Sequence, residues 1–261
     1  MGVGMIVPAY FDFDFFWSVL WPPWHSPFLA AAVLVLVMTV VAQTTGVLLG
    51  FPLALGRTSR NRLVRLPVDF YLWLFRGTPL LLQILFWYDG LSELTGNPKY
   101  LYPITRNALV AGTLALALNE AAYMTEIIRA GLQAIDPGQF DAARALGMRQ
   151  RQVMLRIVIP QALRIIVPPT FNEYINMSKN TSLLSVIAVA ELLDTAQAYF
   201  AVNFRYFEAL SLAAVYYLAI TSLLTAIQRR IEARFGERRD IPMPAMLPFW
   251  RRAIGLAGPM R

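Results

Sequence analysis

Polar side chains recur at helical spacing inside stretches that are otherwise apolar. Asn119, Tyr123 and Glu126 are separated by four and three residues, and the same spacing runs from Asn172 to Lys179. Ionisable groups at membrane depth are costly and usually face a cavity or a partner. Such faces either bind a small polar molecule or hydrogen-bond neighbouring helices. The polar residues that offer donors and acceptors for either role are Thr78, Glu120, Tyr123, Asn172, Glu173, Asn176, Lys179, Thr181, Ser182 and Ser185.

The elements that carry these residues are long apolar segments. The 261 residues are 57% hydrophobic and only 15% charged, whereas soluble domains average about 25% charged residues. A bilayer core needs about 20 apolar residues per helix. The sequence therefore predicts an all-α integral membrane protein with five transmembrane helices, at about 28–56, 66–88, 107–128, 160–190 and 207–228. We expect the second span to be interrupted at Arg76-Gly77-Thr78-Pro79, and Pro168-Pro169 to free backbone carbonyls in the fourth.

Basic residues orient the spans. Lysine and arginine fall in alternate connections, 17 on one side against 3 on the other. Because cytoplasmic loops carry the excess of basic residues, we expect the N-terminus outside and the C-terminus in the cytoplasm. The net charge of +7 is thus interpreted as a topology signal, and no nucleic-acid partner is expected.

Composition also disfavours several kinds of chemistry. Cysteine is absent and histidine occurs once, which excludes a disulfide framework and nearly excludes a zinc site. The two lysines, Lys99 and Lys179, do not follow a glycine, so no P-loop is present. We expect no cofactor in this chain.

One polar segment, residues 136–160, lies on the expected cytoplasmic side. Asp136-Pro137 predicts a capped helix start, and Gly147 suits the left-handed position after its last turn. The helix should cover about 137–146, and a second helix should stop or kink near Pro160. This pattern suits either a segment that docks a soluble partner, called the handle below, or an ordinary amphipathic loop. The residues expected in the handle are Asp136, Gln139, Phe140, Asp141, Ala142, Ala143, Ala145, Leu146, Gly147 and Met148.

The handle resembles the signature loop of membrane subunits of ATP-binding-cassette (ABC) importers. That loop has an acidic residue and two alanines, then a glycine, then two aliphatic residues and a proline at the spacing of residues 141–160. Asp141 stands where the family usually has Glu, and Ile159 where it has Leu. The stretches FRGTPLLLQ, EAAYMTEIIRAGLQAI and PPTFNEYINMSKNTSLLSVIAVAEL are similar to the polar-amino-acid subfamily. The resemblance covers roughly residues 28–231.

The resemblance implies a type I importer fold in a multi-pass protein of the bacterial cytoplasmic (inner) membrane. It implies a second permease subunit, an ABC ATPase that holds ATP and Mg, and an external amino-acid-binding protein. The polar residues above would line the substrate path, and the 136–147 helix would couple that path to the ATPase. The alternatives are a membrane-embedded enzyme, disfavoured by the composition, and a passive channel, which would not need the handle.

Two terminal segments flank the expected transmembrane domain of residues 27–231. Residues 1–26 are rich in aromatic residues and contain two aspartates, a mixture that favours an external interfacial segment. Residues 232–261 form a basic, proline-rich segment, expected to be a cytoplasmic tail that lies on anionic lipid or is disordered.

Overall fold

The computed structural model describes residues 12–21, 26–94 and 107–236, and within these ranges the chain is helical, without strands. The helices are α1 Phe13–Leu20, α2 Pro27–Arg57, α3 Arg62–Gly77, α4 Leu80–Leu85, α5 Leu91–Leu94, α6 Ala108–Gln133, α7 Pro137–Ala145, α8 Gln150–Val153, α9 Ile159–Asn180, α10 Leu192–Asn203 and α11 Tyr206–Gly236. Phe86–Gly90 and Met154–Val158 are π turns, and Thr181–Ile187 is a 3₁₀ helix.

The described helices confirm the all-α membrane architecture. Four segments are long and apolar enough to cross a bilayer: Pro27–Arg57, Ala108–Gln133, Gln150–Ile187 and Tyr206–Arg234. The pair Arg62–Gly77 and Leu80–Gly90, bent by 107° at a short break, gives a fifth crossing when the two helices are counted as one broken span. The break falls at the predicted interruption of the second span, Arg76-Gly77-Thr78-Pro79.

Helices α2 and α6 form the centre of the bundle and run parallel to each other. A Cβ on Gly46 would lie 2.6 Å from Glu120 Cγ, and one on Gly50 would lie 2.8 Å from Met124 Cβ. Glycines four residues apart on α2 thus meet residues four apart on α6. Small residues allow such close approach of membrane helices, where packing drives association.

Two prolines of the fourth span lie inside one continuous helix. Helix α9 continues through Pro168 and Pro169 to Asn180, so these residues do not break it. Pro160 lies in the first turn of α9, where a missing N–H is tolerated, and the π turn Met154–Val158 comes just before it. The second helix of the loop therefore continues into the membrane, and the change of backbone geometry falls later, at Thr181–Ile187.

The N-terminal helix α1 is fastened to the turn between α10 and α11. The backbone N–H of Asp12 donates to Glu208, and its carboxylate pairs with Arg205, whose guanidinium lies 4.5 Å from the Phe15 ring centre. The outer side of α1 exposes Trp17 and Trp21, among other aromatic residues. This arrangement fits an interfacial helix. Residues 1–11, 22–25 and 237–261 of the predicted terminal segments lie outside the described residues.

Candidate functional site

The break between α3 and α4 is held by buried amide side chains. Gln83 Nε2 donates to the carbonyl of Phe75 at 2.9 Å and to the carbonyl and hydroxyl of Thr78 at 3.2 and 2.8 Å. Asn119 Nδ2 of α6 donates to the same Phe75 carbonyl at 3.1 Å and to Gln83 Oε1 at 3.0 Å. Non-helical backbone at membrane depth needs such partners. The structure thus places the predicted site residue Thr78 inside this network.

A second polar contact lies one residue further along α6. Gln43 of α2, which is fully buried, donates from Nε2 to the Glu120 carboxylate at 2.8 Å. Glu173 of α9 lies near enough for its charge to act on Glu120. Carboxylates from α6 and α9 therefore lie within electrostatic range of each other, and the two together favour a ligand that brings positive charge or donors.

The polar residues of α9 divide between two sides of the helix. Asn172, Asn176 and Lys179 are exposed along one face, whereas Glu173 is half-buried towards α6. Asn172 Oδ1 accepts from Gln228 of α11 at 3.0 Å. Among the residues that the structure describes, Lys179 forms no ion pair.

The hydroxyls that follow α9 bond within their own turn. Thr181 donates to the Ser178 carbonyl, Ser182 to Lys179 and Ser185 to Ser182, at 2.7 to 2.9 Å. Thr181 is buried and the two serines are half-buried. Their protons are engaged in this state, which leaves the oxygens of the half-buried serines as the groups able to face a ligand.

Glu126 is the centre of an arginine cluster where α2, α3 and α6 meet. Its carboxylate contacts Arg57, Arg129 and, at 3.5 Å, Arg76. The guanidinium of Arg76 also lies 5.8 Å from the centre of the Tyr123 ring. Three arginines, one each from α2, α3 and α6, thus share the Glu126 carboxylate. Tyr123 and Glu126 therefore belong to an interhelical contact, although Tyr123 remains 41% exposed.

Helix α7 has the predicted ends. Asp136 Oδ1 accepts from the Gly138 N–H at 2.7 Å, which caps the first turn. At the other end the Gly147 N–H donates to the Arg144 carbonyl, and the Met148 N–H donates to the Ala143 carbonyl. This is the Schellman pattern, which needs a left-handed residue, and Gly147 has φ +73°.

The handle residues face two ways. Ala143 is buried against Val153, Val158 and other apolar residues of its own chain, and Phe140 and Met148 are half-buried in the same cluster. In the described structure, Ala143 thus packs against its own chain and is not on the exposed side of α7. The residues left exposed are Asp136, Gln139, Asp141, Ala142, Ala145, Leu146 and Gly147. Leu146 is 81% exposed.

Three contributors were not predicted: Gln43, Gln83 and Arg76. Each is a polar residue in or beside an apolar segment, and that property alone is a signal of a buried partner. The partners of Gln83 and Gln43 on α6 are Asn119 and Glu120, which lie 36 and 77 residues away along the chain. Spacing along the chain could not identify these partners. Within the described ranges, no group of acidic or histidine side chains could hold a metal ion.

Known proteins are similar to this chain over most of its length. A family model described as the binding-protein-dependent transport system inner membrane component matches residues 46–237. The octopine transport system permease protein OccM of Rhizobium radiobacter is 38% identical over 232 residues, covering 88% of this chain and 93% of that protein. The arginine transport system permease protein ArgU of Corynebacterium glutamicum is 39% identical over 218 residues, covering 78% of this chain and 67% of that protein. A crystal structure of an amino acid ABC transporter with histidines has a TM-score of 0.72 and 38% identity, covering 80% of this chain and 94% of that one.

Proposed function

Because the chain belongs to the family of binding-protein-dependent transport system inner membrane components, we propose that it forms the path of a polar amino acid across the membrane and couples that path to a separate ATPase. It is the permease subunit of an ABC amino-acid importer. The observation that carries the proposed path is a polar helix face inside a candidate membrane span that its own chain leaves exposed.

That face is on α9. Asn172, Asn176 and Lys179 are exposed although they lie within the apolar stretch Gln150–Ile187. Amides and an ammonium group do not face lipid tails at low cost, so a second protein chain or a water-filled path must cover them. The occupant proposed here is a second permease subunit, of the same or a homologous sequence, with the path between the two.

The groups around the path match the chemistry of an amino acid. A zwitterion needs acceptors for its ammonium group and donors for its carboxylate. Glu120 and Glu173 supply carboxylates as acceptors. Asn176 and Lys179, about one turn apart on the exposed face of α9, supply donors. Thr78, Tyr123, Ser182 and Ser185 lie on the surrounding helices in our proposal, whereas Thr181 is buried and supports the turn.

The exposed side of α7 is the proposed docking surface for the ATPase. Leu146 is 81% exposed on a segment outside the candidate spans, and an exposed large apolar side chain with charged neighbours suits a protein contact. The basic end of the bundle carries α7, which by the charge rule is the cytoplasmic side. ATP and Mg would be held by the partner, and the external binding protein would deliver the substrate at the opposite face of the bacterial inner membrane.

The path is tested by uptake into proteoliposomes that contain the complete complex. Glu173→Gln removes one carboxylate and should lower uptake at least tenfold for a substrate whose ammonium group it binds (a factor of about ten corresponds to 1.4 kcal/mol). Glu93→Gln, at an exposed position outside the path, is the control and should transport normally. Equal uptake and equal substrate preference in both variants would remove Glu173 from the proposed path.

The docking surface is tested by the recovery of the ATPase chain with the purified permease. Leu146→Ser should reduce the amount recovered, because it removes an exposed apolar contact from α7. Leu63→Ser is a matched control, since Leu63 is 80% exposed on α3 at the same end of the bundle. If the two variants retain the ATPase equally, α7 is not the docking surface.

A further inference from the structure

We infer that Gln83 and Asn119 are positioning residues for transport, whose paired amides carry movement of α7 through α6 to the break between α3 and α4. The inference rests on the proposed coupling role of α7. Neither residue needs to touch the substrate, because their proposed role is to pass movement from one part of the bundle to another.

The break depends on these two side chains. The Phe75 carbonyl would have no helical donor even in a straight helix, because the residue four positions later is Pro79, which lacks an N–H. It accepts from Gln83 Nε2 and Asn119 Nδ2. Gln83 and Asn119 are 7% and 8% exposed, so water is a poor substitute. Of the two, Asn119 is the one supplied by a different helix, and it therefore sets where the break lies relative to α6.

The backbone at the break has room to change its angle. A Cβ on Gly77 would meet no atom within 4 Å. A cavity of about 370 Å³ lies beside the break, lined by Leu74, Leu82, Phe86 and their neighbours. Hinges are short segments at element ends that absorb a change of φ and ψ. The 77–80 junction has this form, and the amide pair holds it in the present state.

Helix α6 connects the amide pair to α7 without interruption. From Asn119 the helix runs unbroken to Gln133, a length of about 21 Å at a rise of 1.5 Å per residue. Only residues 134–136 then separate it from α7. Gly46 and Gly50 keep α2 against α6 too closely for either to slide alone. A displacement of α7 therefore moves α2 and α6 together, and α4 follows through the amide contact.

The test compares single variants with their exchange in the full complex of permease, ATPase and binding protein. Asn119→Gln and Gln83→Asn each change the reach of one amide by one methylene, and the exchange variant with both changes restores the combined length. We expect each single variant to lower the amount of substrate imported per ATP hydrolysed by about tenfold, which corresponds to 1.4 kcal/mol. The exchange should recover most of that ratio. Thr39→Val is the control, because the Thr39 hydroxyl bonds within its own helix.

A second measurement follows the hinge itself. The chain has no cysteine, so spin labels can be attached at Leu66→Cys on α3 and Phe86→Cys after α4, both of which are exposed. The distance between them should change on ATP binding in the otherwise unaltered chain, and the change should shrink with Asn119→Leu. A merely structural role for Asn119 would alter protein yield without altering this response.

The outcomes separate the inference from the proposed function. An unchanged transport ratio in both single variants, or singles that are impaired but not rescued by the exchange, overturns the inference. If Asn119→Leu does not assemble, the single and exchange variants decide the question. Absence of substrate-stimulated ATP hydrolysis in the unaltered complex would refute the proposed function instead.

Discussion

Substitution of Gly147 distinguishes the backbone shape of the α7 C-terminus from its bulk. Gly147 has φ +73°, and a Cβ placed there would meet no atom of the chain within 4 Å. Any free-energy cost that a side chain at residue 147 causes within the permease therefore comes from the backbone conformation. A left-handed backbone costs a non-glycine residue about 1–2 kcal/mol, with asparagine tolerating it best. A difference of that size lowers the ratio of ordered to disordered forms of the last turn by a factor of about 5 to 30.

The series Gly147→Asn, Gly147→Ala and Gly147→Val separates the two explanations. If the left-handed turn matters, import per ATP hydrolysed should fall in the order Gly, Asn, Ala, Val, because β-branching adds to the strain. If the glycine is needed because a groove on the ATPase has no space, Asn and Val should be similarly impaired and Ala less so. Asn and Val thus form a pair of comparable size with different backbone preferences.

The assay measures import and ATP hydrolysis in the same proteoliposomes, with insertion of the permease checked separately. We expect every variant to insert into the membrane, since residue 147 lies outside the candidate spans. The reasoning is refuted if Gly147→Val couples hydrolysis to import as well as the unaltered chain does. A loss in Asn equal to that in Val would refute the conformational explanation alone.

Three further perturbations follow from the described contacts. Glu126→Gln leaves three arginines without their shared carboxylate and should cost about 1–3 kcal/mol of stability, measured as a lower unfolding temperature in detergent. Asp69→Asn, at a more exposed ion pair, should cost less, and equal effects would contradict the central role of Glu126. Gly50→Ala places Cβ 2.8 Å from Met124 Cβ and should destabilise the bundle by roughly 1–3 kcal/mol. The Cβ of Gly77→Ala would contact no atom within 4 Å, so this variant should be neutral, and equal unfolding temperatures would show that α2 and α6 can move apart at little free-energy cost. The hydrogen bond from the Phe15 N–H, with the nearby arginine, holds the pKa of Asp12 below its ordinary 3.8. The contribution of the Asp12 carboxylate to α1 docking is therefore complete above pH 3.8 and lost as pH falls through the lower folded pKa. A spin label at Ser18 should stay immobile from neutral pH to about pH 4.5, and release within that range would contradict the assignment.

Local signals predicted the parts of the fold that depend on neighbours in the chain. The apolar segments follow from composition and length, and four of them are found as single spans and the second as a bent helix pair. The cap at Asp136 and the left-handed Gly147 follow from backbone preferences of single residues, and both appear as expected. Pro168 and Pro169 do not break the fourth span, since α9 continues through both. Because proline lacks an N–H, the freed carbonyls in the preceding turn stay a prediction.

The partners of the polar residues were decided by packing. Nothing in the spacing of Glu126 indicates Arg57 and Arg76, which reach it only because α2, α3 and α6 cross at one point. Ala143 belongs to the proposed docking helix by sequence, yet it faces its own chain because α7 folds back onto residues 153–162.

The sequence by itself therefore determined the membrane class, the apolar segments and the ends of α7, since apolar length and backbone preference are local properties. Only the tertiary structure determined that the second crossing is bent by 107° and that Gln83 and Asn119 hold the bend. The physical reason is that a buried hydrogen bond needs two groups brought together by helices far apart in the chain. Sequence periodicity places a residue on a face, and packing decides what that face meets.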